Sequence, residues 1–221
     1  MLLFLLLSCQ SARPTAPACP DGMVAAKDAD GDFCIHRYEV SLRPTDPSWR
    51  GDHRLLLVQP AGAYQLVSEP GQEPLQVSWW EAYGICVQNH LHLCRSSEWE
   101  DACDATPGPG GKPYTRVAGD CNFTHSQTGP SAPLATTGGY TGCENSLGAV
   151  DMLGNLWEWT DPRQSDATGQ PLTDKRGGAH YSRRLATCAQ PAIGQHTPNA
   201  RPSVGFRCCK RITPAAQAPS P

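Results

Sequence analysis

Apolar and polar positions change period several times along this chain, and each change marks an element. Trp157-Glu158-Trp159 alternates apolar and charged positions, the two-residue period of a strand, and Gly154-Asn155 just before it supplies the entering bend. That alternation sets both indoles on one face and Glu158 on the other. Residues 22–25 and 33–40 read as two more strands around the turn Asp28-Ala29-Asp30-Gly31-Asp32. Trp79, Ala82, Tyr83, Ile85 and Cys86 recur at helical spacing, and Ser78 with Glu81 makes a capping box, so a helix runs from there to about Asn89. A shorter helix starts at Ser96 or Ser97, with Glu100 three residues beyond Ser97; it puts Trp99 and Cys103 one turn apart, and residues 107–111, all Pro and Gly, end it. Residues 43–76, with five prolines, read as irregular, and 120–148 as a long connection pinned by Cys121 and Cys143. Residues 176–178 read as a close-packed strand and 205–209 as the last core strand.

Composition narrows the class. The 221 residues are enough for one core, and with 21 glycines, 21 prolines and only 18% charged residues, loops dominate. A net charge of −3 with no basic cluster excludes phosphate-backbone binding, so no nucleic-acid partner is expected. No apolar run reaches the roughly 18 residues that span a bilayer. Residues 1–7 are apolar and end in Leu6-Leu7-Ser8-Cys9, which resembles a bacterial lipobox. This predicts a signal peptide and lipobox over 1–9 with Cys9 lipidated, a flexible tether over 10–18, a folded domain over 19–211 and a disordered tail over 212–221. The expected location is extracytoplasmic, a periplasmic or cell-surface lipoprotein touching the membrane through its lipid anchor only. Setting Cys9 aside, eleven cysteines become ten, an even count suited to disulfides in an oxidising compartment. Zinc fits poorly, because there is no C-x-x-C pair and Cys208-Cys209 are adjacent.

Several residues invite chemistry. Asp151 and Glu158, with the carbonyls of the turn between them, form a hard-oxygen set that calcium would take. The alternative is a surface strand with Glu158 bonded to backbone amides. Asp28, Asp30, Asp32 and Glu39 fall on positions one, three, five and twelve of a calcium-binding loop, but Phe33 takes the sixth position, where the bend needs glycine; a solvated acidic turn is the better reading. His90 and His92 would share one side of an extended segment with few further ligands. His180, with Ser182 or His196, shows no convergent set of three ligands for iron. Arg183-Arg184 is a ligand-binding candidate for an acidic group, or a solvated pair. Asn122-Phe123-Thr124 fits a glycosylation sequon, at odds with a lipobox. No nucleophile elbow is present.

Five segments occur in a telling order: residues 78–86, beginning Ser-Trp-Trp-Glu-Ala-Tyr and ending at Cys86; Glu98-Trp99-Glu100; 154–159; Arg176-Gly177-Gly178; and Gly205-Phe206-Arg207-Cys208. Together they resemble the sulfatase-modifying-factor domain of the formylglycine-generating enzymes, over nearly the whole chain. The resemblance implies an irregular, loop-rich α+β domain of the C-type-lectin-like kind, with few short helices, small antiparallel sheets and several disulfides. It implies a structural calcium site using the side chains of Asp151 and Glu158 and the carbonyls of Gly154 and Leu156. It also implies the bridges Cys86–Cys208 and Cys103–Cys188, leaving Cys94 for Cys209 beside the local pairs Cys19–Cys34 and Cys121–Cys143. The family's enzymes hold copper on two cysteines five residues apart, just after a Gly-Gly-Ser strand, because soft thiolates suit Cu(I). Here the serine position is Ala179 and the cysteine positions are Ser182 and Thr187, with Cys188 one residue late. Copper is therefore not expected. The sulfoxide-synthase relatives draw iron ligands from an added helical domain that these residues leave no stretch to build. The leading expectation is a non-catalytic module for ligand binding or assembly, with a protein or glycan partner. The alternative is a metal- and oxygen-dependent oxidase converting a protein cysteine to formylglycine.

Overall fold

The computed structural model describes residues 18–50, 62–104, 120–124, 130–170, 172, 173–182, 186–188 and 202–212. The lipobox with Cys9, most of the tether and tail, Arg183, Arg184 and His196 lie outside them. β1 (Met23–Asp28) and β2 (Gly31–His36) form an antiparallel hairpin, with Val24 opposite Ile35 and Asp28 opposite Gly31. β3 (Ser41–Pro44) pairs with β4 (Tyr64–Val67). Two helices follow, α1 (Trp79–Gln88) and α2 (Ser96–Asp104), separated by the two-residue β5 (His92–Leu93). β6 (Trp157–Thr160), β7 (Asp174–Arg176), β8 (Val204–Phe206) and β9 (Cys208–Arg211) complete the described elements. They form three sheets, ordered β1-β2-β9-β5, β3-β4 and β7-β6-β8. β6 runs antiparallel to β7 and parallel to β8. No described helix is long and apolar enough to cross a membrane.

Local chemistry explains the helices. Ser78 caps α1 by accepting from the Glu81 amide while Glu81 Oε2 accepts from the Ser78 amide at 2.7 Å, so two orphan donors of the first turn are satisfied reciprocally. Its inner face buries Trp79, Ala82, Ile85 and Cys86, whereas Trp80, Tyr83 and Val87 stand on the exposed side. Tyr83 thus belongs to the outer face and not, as its spacing predicts, to the core stripe; it stacks on the buried Trp79 ring from outside, 5.2 Å away. In α2 the returning carboxylate is Glu98, which accepts from the Arg95 amide at 2.8 Å, and not Glu100. Glu100 instead meets Arg176 Nη1 at 3.0 Å.

Three other expectations change. Residues 43–76 contain most of the β3–β4 pair. The strand before the double glycine stops at Arg176, because Gly177 takes φ +84° with its Cα against Met152 and Trp99; a Cβ there would sit 2.6 Å from the Met152 carbonyl oxygen. The expected last strand is two strands in different sheets, with the break at Arg207.

Five disulfides brace this loop-rich frame: Cys19–Cys34, Cys86–Cys208, Cys94–Cys209, Cys103–Cys188 and Cys121–Cys143, the pairs the resemblance implies. Three of them span 122, 115 and 85 residues. Bridges of that span contribute about 4–5 kcal/mol each in the chain-entropy account. One buried cluster gathers Phe33, Ile35, Trp99 and Met152 with most of these bridges. The other gathers Val40, Leu42, Trp79, Trp157, Trp159 and Phe206 around Cys86 and Cys208.

Candidate functional site

Strand alternation on β6 sends Trp157 and Trp159 into one cluster and Glu158 toward the other. The Trp159 indole donates to the Val77 carbonyl at 2.8 Å. Glu158 is fully buried, so it is not a surface strand residue bonded to amides. Its partners are Arg207 Nε, 2.9 Å from both carboxylate oxygens, and the Trp99 indole N–H at 2.7 Å. Arg207 is equally buried; its Nη1 donates to the carbonyls of His36 (3.1 Å) and Arg37 (2.6 Å), and its Nη2 to that of Val150. A buried guanidinium bonded this fully, with a bonded carboxylate opposite, is the geometry in which a buried pair is tolerated.

Two further carboxylates surround the pair. Asp151, held at φ +58°, accepts from the Gly138 amide at 2.6 Å. Glu39 accepts from the Asn155 side-chain amide at 2.6 Å and the Leu156 amide at 3.0 Å. Burial, then the charges of Asp151 and Glu158, pushes the Glu39 carboxyl well above the usual carboxylate range. Burial also raises Asp151 to about 6, against the Gly138 bond and Arg207, with Glu158 adding to the rise. Burial opposes the charge on Arg207, but Glu158 outweighs it and holds the guanidinium's pKa above its ordinary value. His36 is driven down to about 3 by burial and by Arg207, and its Nδ1 accepts from the Cys208 amide at 3.2 Å. The Asp151–Asn155 loop is tied in place by Gly154 N–H to Gly177 O (3.1 Å) and Asn155 N–H to Asn122 O (2.7 Å). A Cβ on Gly154 (φ +84°) would lie 2.3 Å from that Asn122 oxygen.

Three carboxylates against one guanidinium leave two surplus negative charges, which one divalent cation or two protons would cancel. Asp151, Glu158 and the carbonyls of Gly154 and Leu156 are all hard oxygens within one short stretch. The charge count would suit a divalent cation, but among the described residues no three His, Cys, Asp or Glu side chains gather closely enough to hold one ion, and both Glu158 oxygens already accept from Arg207. Sequence reasoning set Glu39 only at position twelve of the Asp28–Asp32 loop, whereas it joins this buried cluster through Asn155 and Leu156, and the role of Arg207 was missed. The signal for Arg207 was available: a lone cation between Phe206 and Cys208 in an apolar strand needs a buried acid.

The loop at the family's copper position is differently furnished. Ala179 and Ser182 are buried and face each other in a tight turn, Ser182 N–H to Ala179 O at 2.7 Å and Ala179 N–H to Ser182 Oγ at 2.9 Å. The Ser182 hydroxyl is thus spent on the backbone. Thr187 is half-buried beside Cys188, whose sulfur is bonded to Cys103. His180 contacts the carbonyl of Ala132 through Nδ1 at 2.5 Å and the Ser203 hydroxyl through Nε2 at 3.3 Å. Among the described residues no three His, Cys, Asp or Glu side chains gather around a common point. His90 is exposed, and His92 pairs with the buried Glu98 at 2.9 Å, so the two histidines do not share a site. The Asp28–Asp32 turn is not merely solvated: Asp28 is paired with Arg211, which holds its carboxyl below the ordinary range. Asn122 is buried, with its side-chain nitrogen donating to Pro133 O (3.0 Å) and Asn155 Oδ1 (2.8 Å), so the sequon is structural.

This architecture, two short helices over small sheets with long-range bridges, is the C-type-lectin-like fold of the formylglycine-generating type. The structure titled "Crystal Structure of CarF" superposes with a TM-score of 0.54 at 20% identity, covering 87% of this chain and 94% of that one. The model for the "Sulfatase-modifying factor enzyme 1-like domain" matches residues 31–212, and the chain belongs to that family. Among relatives, the "Inactive C-alpha-formylglycine-generating enzyme 2" of Mus musculus is 27% identical over 193 residues, 78% of this chain and 60% of that protein. The "Formylglycine-generating enzyme" of Mycobacterium tuberculosis is 25% identical over 229 residues, 92% of this chain and 68% of that protein. A "Hercynine oxygenase" of Mycolicibacterium smegmatis is 33% identical over 102 residues, but those are 41% of this chain and 22% of that protein.

Proposed function

We propose that this domain is a non-catalytic member of its family, an extracytoplasmic module whose braced frame serves ligand binding or assembly. One observation carries the reading: all ten cysteines after Cys9 are in disulfides, and the two thiol positions hold Ser182 and Thr187. A serine hydroxyl tied to its own turn is no ligand for a soft cuprous ion. Retaining a frame while losing the grafted site is physically coherent, because fold and function are separable. Similarity to a relative named inactive accords with this, whereas similarity to relatives named as enzymes supports the alternative oxidase. The test is incubation of the disulfide-bonded protein with a cysteine-bearing sulfatase-type peptide, copper and oxygen. No aldehyde is expected; catalytic conversion of the peptide overturns the reading.

The disulfides also support an oxidising compartment, and anchoring through lipid on Cys9 is part of the same proposal. Mass spectrometry of the mature N-terminus checks it: a diacylglyceryl-modified Cys9 is expected, and an unmodified N-terminus at any other residue contradicts it. Calcium at Asp151, Glu158 and the Gly154 and Leu156 carbonyls is proposed as structural only, neutralising buried charge. Chelation should lower the melting temperature of the wild type and leave Asp151→Asn unmoved. A wild type insensitive to chelator would mean that protons on Glu39 and Asp151 do that work instead.

A further inference from the structure

β1 is the outermost strand of its sheet, with β2 on one side and, among the described residues, no strand on the other. The bonding phase of the hairpin decides which of its backbone groups are left over. Arg37 N–H donates to the Gly22 carbonyl at 2.8 Å, so the ladder bonds fall on Gly22, Val24, Ala26 and Asp28. Ile212 N–H to the Asp32 carbonyl, at 3.0 Å, fixes the same phase from the far edge of β2. The backbone groups of Met23, Ala25 and Lys27 therefore point away from β2. Met23 N–H is taken by the Pro20 carbonyl at 3.1 Å. The amides of Ala25 and Lys27 and the carbonyls of Met23, Ala25 and Lys27 have no bond among the described residues. Ala25 and Lys27 are exposed, and α2 packs on the face that carries Ala26, leaving this edge open.

A row of free donors and acceptors along a straight edge is a template for one more strand. β1 has neither Pro nor a bulge to blunt it, and its register with β2 runs unbroken from Met23 to Asp28. What guards the edge is Lys27, so an incoming strand must bring an acid to that point. The chain carries one itself: Asp21 is exposed just before the strand, and neither Asp21 nor Lys27 has a charged partner among the described residues. We propose that β1 pairs antiparallel with β1 of a second copy of this chain, centred on Ala25, joining two sheets across a two-fold axis. In that register Ala25 exchanges both its bonds with Ala25 of the second copy. Each Lys27 N–H donates to the Met23 carbonyl of the other copy, so every free amide is used. Each Lys27 then lies diagonal to Asp21 of the other copy, an attraction made twice. A register centred on Ala26 would use the same amides but set the two lysines diagonal to each other, which is repulsive. The proposal rests on reading the domain as a module for binding or assembly and names the partner.

The test is sedimentation of the full disulfide-bonded chain from about 1 μM to about 1 mM, the range in which a modest interface shows itself. The mass should rise toward that of a dimer. Ala25→Pro removes the central outward amide without touching a bond to β2, a change that edge strands tolerate. It should leave a monomer that melts close to the wild type. Lys27→Glu, an exposed change, should weaken the dimer about tenfold by setting like charges across both diagonals. Adding Asp21→Lys to it should restore the wild-type affinity, because the swapped charges again attract. A wild type monomeric throughout, a dimer indifferent to Ala25→Pro, or a double variant as weak as Lys27→Glu would each overturn the proposal. So would a monomer whose Ala25 and Lys27 amides are protected from exchange only by an added extended peptide, which would assign the edge to another protein. Formylglycine formation by the dimer would sink the non-catalytic reading and leave this one standing.

Discussion

The residue that most constrains this molecule is Arg207. Its guanidinium reaches one carboxylate and three backbone carbonyls in a site closed to water, so replacing it orphans all of them. Arg207→Met should therefore destabilise the domain by about 3–5 kcal/mol, the usual cost of breaking a buried pair from one side. Chemical denaturation measures this, and a loss under about 1 kcal/mol would show that the pair is not needed. His36 gives a pH signature of defined sign. Its folded pKa lies near 3, below the unfolded value of about 6.5, so the unfolded chain binds the extra proton and stability falls as pH drops through that window. Asp151 works the other way, because its raised pKa makes the folded state take the proton first between about 6 and 4. Comparing wild type with His36→Asn at each pH cancels the Asp151 contribution. The wild-type advantage should shrink by about 1.4 kcal/mol per pH unit below pH 6.5; a pH-independent difference would mean that His36 titrates normally.

Among the elements, α1 was the most legible in sequence, because its signals are local. Ser78, Glu81 and the apolar spacing all act within a few residues, and cap and bounds follow from them. Ser78→Ala should cost about 0.5–2 kcal/mol, measurable as a shift of the denaturation midpoint, since it removes one half of that reciprocal cap. An unchanged midpoint would contradict it. The β3–β4 pair was not legible: its four-residue strands are joined across a proline-rich stretch and owe their pairing to packing of Leu42 and Val67. The division at Arg207 was likewise hidden, because Gly205–Cys209 carries the apolar run of one strand. Only tertiary contact with Glu158 shows that the chain changes sheets there. Glu98 and Glu100 make the same point in α2. Both sit in its opening turns, and it is the Arg176 position, 76 residues on, that takes Glu100 away from the cap.

At the scale of the whole molecule, sulfur does what a large regular core would do elsewhere. Long sheets and helices are absent among the described elements, and three bridges spanning 85 residues or more tie α1, Cys94 just after β5, and α2 to the C-terminal half. The even count of cysteines was readable in sequence, and so were the local pairs Cys19–Cys34 and Cys121–Cys143, but Cys86–Cys208 and Cys103–Cys188 came only with the family resemblance, which left Cys94 for Cys209. The site was half legible. Asp151 and Glu158 stood out because they flank a turn and a tryptophan strand, whereas Glu39 joins them from 112 residues upstream of Asp151 and no local pattern announces it. The same sulfur accounting underlies the proposal that this domain is non-catalytic, and it is open to a direct count. Alkylation of the unreduced, denatured protein followed by intact-mass measurement should label no cysteine among Cys19, Cys34, Cys86, Cys94, Cys103, Cys121, Cys143, Cys188, Cys208 and Cys209. Two labelled sulfurs, with Cys188 one of them, would contradict the account and restore a metal-binding thiol pair beside Ser182.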